Sequence, residues 1–139
     1  MSAIAAATTG AAVGVPRLVL RLEGAALFMA ATLVFWRLGG SWLLFVVLFL
    51  TPDLAFLAYL VSPRVGAIVY NAVHATLGPL ALLALGFWRD APIIESLAMI
   101  WLGHVGIDRA LGYGLKYATA FNDTHLGRIG WALSRGDGV

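Results

Sequence analysis

The sequence predicts an all-α integral membrane protein, a four-helix bundle with both termini cytoplasmic and an interfacial C-terminal segment. Three observations predict it. The composition is 61% hydrophobic and only 12% charged over 139 residues, whereas an average soluble domain carries about 25% charge. One core of this size cannot hide so much apolar surface. The apolar residues also fall into four segments, each near the ~20 residues that a helix needs to cross ~30 Å of hydrocarbon. Finally, the connections between segments are brief, which makes consecutive helices antiparallel neighbours. With no cysteine in the chain, a disulfide framework, a zinc ribbon and a thiol nucleophile are excluded. The net charge of +2 comes from scattered single residues, unlike the clustered basic face of a nucleic-acid binder.

Residues 1–16 are small and Ala/Gly/Thr-rich, and are expected to form a flexible tail. Their first basic residue, Arg17, follows the segment, whereas a signal peptide places its positive charge ahead of the apolar stretch. The four spans are expected at about 18–36, 42–60, 65–87 and 92–111. Trp36, Trp42 and Trp88 stand at segment ends, where indole rings favour the headgroup layer. One face of the bundle collects Arg17, Arg21, Arg64, Arg109, Lys116, Arg128 and Arg135, against Arg37 and Arg89 on the other. Excess Lys and Arg mark the cytoplasmic side, so the expected location is a bacterial inner membrane with cytoplasmic termini. Residues 112–139 form the C-terminal segment. Within it, residues 112–130 follow neither a 3.6- nor a 2-residue period and are expected to make an interfacial lid, with Asp123 or Thr124 capping one short helix.

Ionisable groups inside a bilayer cost about 2.5–3.5 kcal/mol each on insertion scales. Glu23, Asp53, Asn71, His74, His104 and Asp108 are the polar residues to explain. With a rise of ~1.5 Å per residue, Glu23 lies roughly 8 Å from the cytoplasmic end, Asp53 about 12, His74 about 15, His104 about 10 and Asp108 about 5. All five ionisable groups therefore fall in one leaflet. His104 and Asp108 are four apart and share a helix face, as do Tyr70 and His74, with Asn71 close by. Pro52 breaks or kinks the helix just ahead of Asp53. The pattern implies a polar pocket open to the cytoplasm.

Two imidazoles and two carboxylates form an N2O2 set for Zn²⁺, Fe²⁺ or Mn²⁺, so Asp53, His74, His104 and Asp108 are the candidate metal ligands. Glu23 is the candidate general base and His125 a second candidate catalytic group. Tyr70, Asn71, Arg109 and Lys116 are candidate binding residues, the last two at headgroup depth where they can meet a phosphate. Plainer roles stand beside these. Asp108 with Arg109 reads also as an ion pair, Arg21 and Glu23 as interfacial groups, His74 and His104 as neutral rings hydrogen-bonded to each other or to Tyr70, and His125 with Asp123 as a solvated loop.

The stretches TPDLAFLAYL, PRVGAIVYNAVH, IWLGHVGIDRALGYGLKY and FNDTHLGRIG resemble a small bacterial membrane family, a domain of unknown function numbered in the low four-thousands. That resemblance covers Glu23 to Gly130 and implies an all-helical, membrane-embedded fold without an established activity. More distantly, Pro52-Asp53, His74, His104–Asp108 and Tyr113-Gly114 are similar in order to a pattern of the membrane-bound metal-dependent hydrolases. The chain departs from that pattern at Ala55 and Phe56, where an acid or histidine is usual, and at Tyr70-Asn71 and His74-Ala75. The resemblance thus implies a shared metal pocket and leaves catalysis open.

The function expected from these residues is a metal-dependent hydrolase acting on a lipid or lipid-linked substrate at the cytoplasmic leaflet. A haem or metal protein without catalysis, with His74 and His104 as axial ligands, is the alternative. An ion- or proton-translocating subunit is a third reading. The expected partners are the bilayer and a lipid substrate, not nucleic acid, with homo-oligomerisation open.

Overall fold

The computed structural model describes residues 10–119 and 121–129. Residues 1–9 of the expected tail, and Arg135, lie outside the described residues. Helix α1 spans Gly14–Arg37 and α2 spans Trp42–Phe49, continued by a 3₁₀ segment at Thr51–Leu60. Then come α3 at Pro63–His74, α4 at Leu77–Trp88 and α5 at Pro92–Leu111. Three of these helical stretches, Gly14–Arg37, Trp42–Leu60 and Pro63–Trp88, are long and apolar enough to cross a membrane. Their outward side chains, among them Leu43, Val46, Leu57, Leu60 and Leu77, are exposed, as a surface in contact with lipid requires.

Helix α5 is the packing centre. Its residues from Ala98 to Gly106 are buried with the sole exception of Trp101. Helix α1 presents Gly24, Ala31 and Phe35 to the interior, residues seven and four apart that share one helical stripe. The two backbones touch where glycines meet. A Cβ built on Gly106 would lie 2.7 Å from the Phe28 nitrogen and 2.8 Å from the Gly24 carbonyl oxygen. Small residues are what allows helices in lipid to approach this closely. Toward the other end of the bundle, Phe35 packs edge-on against Trp42 and Phe45, and Phe45 stacks on Phe49.

Two prolines interrupt the spans. Pro52 lacks an N–H and its ring clashes with the carbonyl four residues back, so the α-helix stops at Phe49 and the chain tightens into the 3₁₀ segment. Pro79 does the same to the carbonyl of Ala75. The third span, expected to be continuous over 65–87, is therefore two helices: Ala75 is extended (ψ 147°) and α4 restarts at Leu77. Trp101 Nε1 donates to the freed carbonyl of Val73 at 2.7 Å, one of the partners that a helix end needs. Ser62 caps α3 by accepting from the Val65 N–H at 3.1 Å, with Pro63 at the first helical position as is common. Helix α5 ends at Gly112, whose φ of 94° only glycine adopts readily.

Among the described residues of the C-terminal segment, Asp123 and Thr124 cap no short helix and instead begin a hairpin. Asp123–Thr124 (β1) pairs antiparallel with Gly127–Arg128 (β2), and Lys116 bridges to Thr124 on the other side. The Thr124 hydroxyl donates to the Gly127 carbonyl at 2.6 Å across the turn. This hairpin folds back on the start of the chain, where the Ala12 N–H donates to the His125 carbonyl at 2.7 Å. Residues 14–16, expected in the tail, already belong to α1.

The glycines of α5 give a direct test of the close crossing. Gly106→Ala is expected to lose about 1–3 kcal/mol because the added methyl meets backbone that cannot yield. At Gly103 the nearest atom to an added Cβ is 3.7 Å away, so Gly103→Ala is expected to stay within about 1 kcal/mol of wild type. Thermal unfolding in detergent, followed by circular dichroism, compares them; equal losses would refute the backbone contact.

Candidate metal centre

Four side chains from three elements converge. Asp53 is the third residue of the 3₁₀ segment, His74 is the last residue of α3, and His104 and Asp108 occupy successive turns of α5. The two proline breaks make this possible, since Asp53 sits just beyond one and His74 just before the other. One ligand atom from each of the four lies within 4.8 Å of all the others. The His74 and His104 Nε2 atoms are 3.2 Å apart. From His74 Nε2 it is 3.6 Å to Asp53 Oδ1 and 3.5 Å to Asp108 Oδ2. From His104 Nε2 the same oxygens are 3.3 and 3.4 Å away.

These lengths have a simple meaning. Nitrogen and carboxylate ligands sit about 2.0–2.1 Å from Zn²⁺, and a tetrahedron's edge is about 1.6 times its centre-to-corner distance, giving about 3.3–3.4 Å between ligand atoms. The five measured edges run from 3.2 to 3.6 Å. Five of the six distances among the four atoms of this cage are thus of the size that a small divalent cation needs, and the sixth, between the two carboxylate oxygens, lies within 4.8 Å.

The surrounding contacts orient the ligands. His74 Nδ1 lies 3.0 Å from the Tyr70 carbonyl oxygen, and a carbonyl only accepts. Nδ1 therefore carries the proton, which leaves the lone pair of a neutral ring on Nε2, toward the cage. The Tyr70 ring lies flat on the His74 ring, centroids 3.7 Å apart and 8° from parallel, and its hydroxyl donates to Asp108 Oδ2 at 3.4 Å. His104 is fixed by packing, with the Phe49 ring edge-on at 5.4 Å. Its Nδ1 is buried without a hydrogen-bond partner among the described residues. Both imidazoles are almost completely buried, while the Asp53 side chain is 34% exposed, so the cage opens on its carboxylate side.

Of the other candidates, Tyr70 buttresses the cage and Asn71 does not reach into it. Asn71 grips the C-terminal segment instead: its Nδ2 donates to the Lys116 carbonyl at 2.8 Å and its Oδ1 accepts from the Lys116 N–H at 2.6 Å. Lys116 is thereby buried, with Nζ 4.8 Å from the Tyr70 ring centroid and 3.8 Å from that of Phe121. Burial pushes the ammonium down to about 8, with the Asp108 charge opposing. Sequence reasoning placed Lys116 at headgroup depth. Phe121, which covers it, reads from the sequence as an interfacial anchor, with Tyr113 and Tyr117.

Glu23, Arg109 and His125 sit elsewhere. They line a separate cavity of about 230 Å³ with Leu20, Gly24, Leu27 and Leu126, and none of the four cage residues lines it. The expected general base, Glu23, is exposed there. The residue lines that cavity and faces away from the cage. Nor is His125 a solvated loop residue. Its Nδ1 accepts from the Leu115 N–H at 2.8 Å, and burial, then the neighbouring Arg109 charge, holds its pKa below the ordinary value of 6.5.

A histidine with a depressed pKa favours the fold only while neutral. Its contribution is present above the unfolded-state pKa and is lost as pH falls through the folded one. His125→Asn keeps an acceptor for the Leu115 N–H but cannot titrate. Between pH 7 and pH 5 the wild type is therefore expected to lose stability more steeply than this variant. Parallel curves in detergent-based denaturation would remove His125 from the acid sensitivity.

Comparison with curated proteins and with solved structures returns no match, so the likeness of Pro52-Asp53, His74 and His104–Asp108 to the hydrolases rests on the residues alone. The family model for the domain of unknown function DUF4260 matches residues 17–129, from the first turn of α1 through the hairpin, and the chain belongs to that family.

Proposed function

We propose that this membrane protein binds a divalent transition metal through Asp53, His74, His104 and Asp108, and uses it to hydrolyse a lipid or lipid-linked ester or phosphate. The observation that carries the proposal is the cage itself, with five edges between 3.2 and 3.6 Å. Zn²⁺, Fe²⁺ and Mn²⁺ all accept such an N2O2 set. A cation there supplies Lewis-acid activation of an ester or phosphoryl oxygen and of water. The protein's part is to hold the ligands, keep the imidazoles dry and admit substrate on the Asp53 side.

A lipid substrate is supported by the surroundings. An apolar cavity of about 570 Å³, lined by Leu48, Pro52, Ala55, Val73, Leu97 and Trp101 among others, adjoins the two helix breaks. Pro52 and Val73 are the immediate sequence neighbours of Asp53 and His74, while the four cage residues themselves do not line this cavity. The excess of Arg and Lys on one face supports placing this mouth at the cytoplasmic leaflet of a bacterial inner membrane.

One observation favours a non-catalytic metal protein as a second reading: the carboxylate expected as general base, Glu23, lines a different cavity. Haem fits the geometry poorly. Axial ligands stand on opposite sides of a flat macrocycle, whereas here the two Nε2 atoms are 3.2 Å apart with carboxylate oxygens flanking both.

Metal analysis by mass spectrometry on detergent-purified protein tests the site. Wild type is expected to carry one transition-metal ion per chain, and His104→Ala and Asp53→Asn to lose at least tenfold in affinity. Metal-free wild type from supplemented cells, or full occupancy in both variants, would overturn the ligand assignment. Release of product from phospholipid or lipid-phosphate micelles, abolished in the same variants, separates the hydrolase from the non-catalytic reading.

A further inference from the structure

Lys116 is in an unusual position for a lysine. The residue is 3% exposed, and its Nζ has no hydrogen-bond partner among the described residues. It lies over the rings of Tyr70 and Phe121 instead. Attraction to two ring faces returns less than the desolvation of a buried ammonium costs. A second unsatisfied donor belongs to the same cluster: the Tyr59 hydroxyl is also buried without a partner, and its ring packs edge-on against Phe121 at 5.2 Å. Phe121 and Phe56, packed on each other at 5.3 Å, are both exposed at the surface. Two buried donors thus stand behind an aromatic mouth.

The charge count near the cage points the same way. Two carboxylates and a divalent cation cancel, and imidazoles bound through their lone pairs are neutral. The Lys116 ammonium is then one positive charge in excess, beside the tyrosine that both stacks on His74 and donates to Asp108. Nothing described neutralises it. The position is also well built, because Asn71 clamps the Lys116 backbone through both its N–H and its carbonyl.

We propose that Lys116, assisted by the Tyr59 hydroxyl, is the receptor for a phosphate group, and that it presents the phosphate of the substrate to the metal cage. This rests on the hydrolase reading for the role of the site, and narrows its substrate to phosphorylated compounds. Arg109, the other cation at headgroup depth, takes no part, since it lines the separate cavity with Glu23. Ammonium supplies a point charge with rotatable donors, which suits a phosphate oxygen arriving from several directions.

The test is equilibrium binding to the full detergent-purified chain, zinc-loaded and chelated, with inorganic phosphate and separately with a short-chain phosphatidic acid. Wild type is expected to bind phosphatidic acid, and Lys116→Met to weaken it about tenfold or more, the usual loss for a hydrogen bond to a charged group. Lys116→Arg should retain most of the affinity, Tyr59→Phe should lose less than Lys116→Met, and metal content should be unchanged in all three. Lys116-dependent binding of inorganic phosphate as well assigns the receptor to free phosphate; binding of phosphatidic acid alone assigns it to a lipid headgroup. Wild type that binds neither probe, or Lys116→Met that binds both like wild type, overturns the proposal. Because metal content is measured alongside, a metal-free protein that still shows Lys116-dependent binding sinks the metal reading and leaves the phosphate receptor standing. Should Lys116→Met not fold, Lys116→Gln decides: it is expected to weaken phosphatidic acid or phosphate binding about tenfold, and binding like wild type counts against the proposal.

Discussion

Everything distinctive in this fold follows from placing two carboxylates and two imidazoles together inside an apolar bundle. Each such group is costly to take from water, and breaking a buried set by losing one partner leaves a charge that nothing else compensates. The set is affordable only if all four arrive together and in register. A bundle of unbroken helices would offer side chains at fixed turns. Here the ligands come from a 3₁₀ segment, from the last residue of a helix and from two turns of another. Pro52 and Pro79 are what allow the chain to leave helical register at those points.

That arrangement needs a rigid reference, which α5 provides. It carries two of the four ligands, runs through the most buried part of the molecule, and is held to α1 by direct backbone contact between Gly24 and Gly106. Trp101 then ties the frayed end of α3 to α5 through the Val73 carbonyl, which fixes where His74 points. The C-terminal segment is attached to the same frame by Asn71, one residue after the tyrosine that supports His74. Residues that look independent in sequence therefore form one connected scaffold around the cage.

Much of this was legible in the sequence. Apolar segment lengths gave the helical stretches, three of which, though not the one at Pro92–Leu111, are long and apolar enough to cross a membrane. The polar residues Asp53, His74, His104 and Asp108 gave the cluster. The kink ahead of Asp53 was legible from Pro52, because a proline's effect on the preceding turn is local. The break after His74 carried the same signal in Pro79 but was hidden by four residues of distance and a continuous run of apolar residues. Glu23 shows the limit of counting depth. Rise along the axis is one coordinate and rotation about it is another: successive helical residues turn by about 100°. Gly24 is the residue that meets α5, so its neighbour Glu23 turns away from that contact toward the surface. The hairpin at Asp123–Arg128 was illegible because strands of two residues carry no periodicity, and its register is set by tertiary hydrogen bonds to Leu115, Tyr117 and Ala12.

The cage can be satisfied in two ways, and the contacts distinguish them. A neutral His104 ring that donates Nε2–H to the His74 Nε2 lone pair, 3.2 Å away, carries no charge. The Lys116 ammonium then faces two carboxylates, with no call for an external anion. A divalent cation balances the carboxylates by itself and leaves the ammonium over. Geometry bears on the choice, because one shared proton satisfies the line between two nitrogens, whereas four nitrogen–oxygen distances here also fall within 0.4 Å of the nitrogen–nitrogen one, from 3.2 to 3.6 Å, with the two carboxylate oxygens within 4.8 Å of each other. A hydrogen bond is directional and has no need of that near-equality. A small cation held by all four atoms would draw them toward one centre. A cation in the cage would leave the Lys116 ammonium as a buried positive charge that an incoming phosphate neutralises.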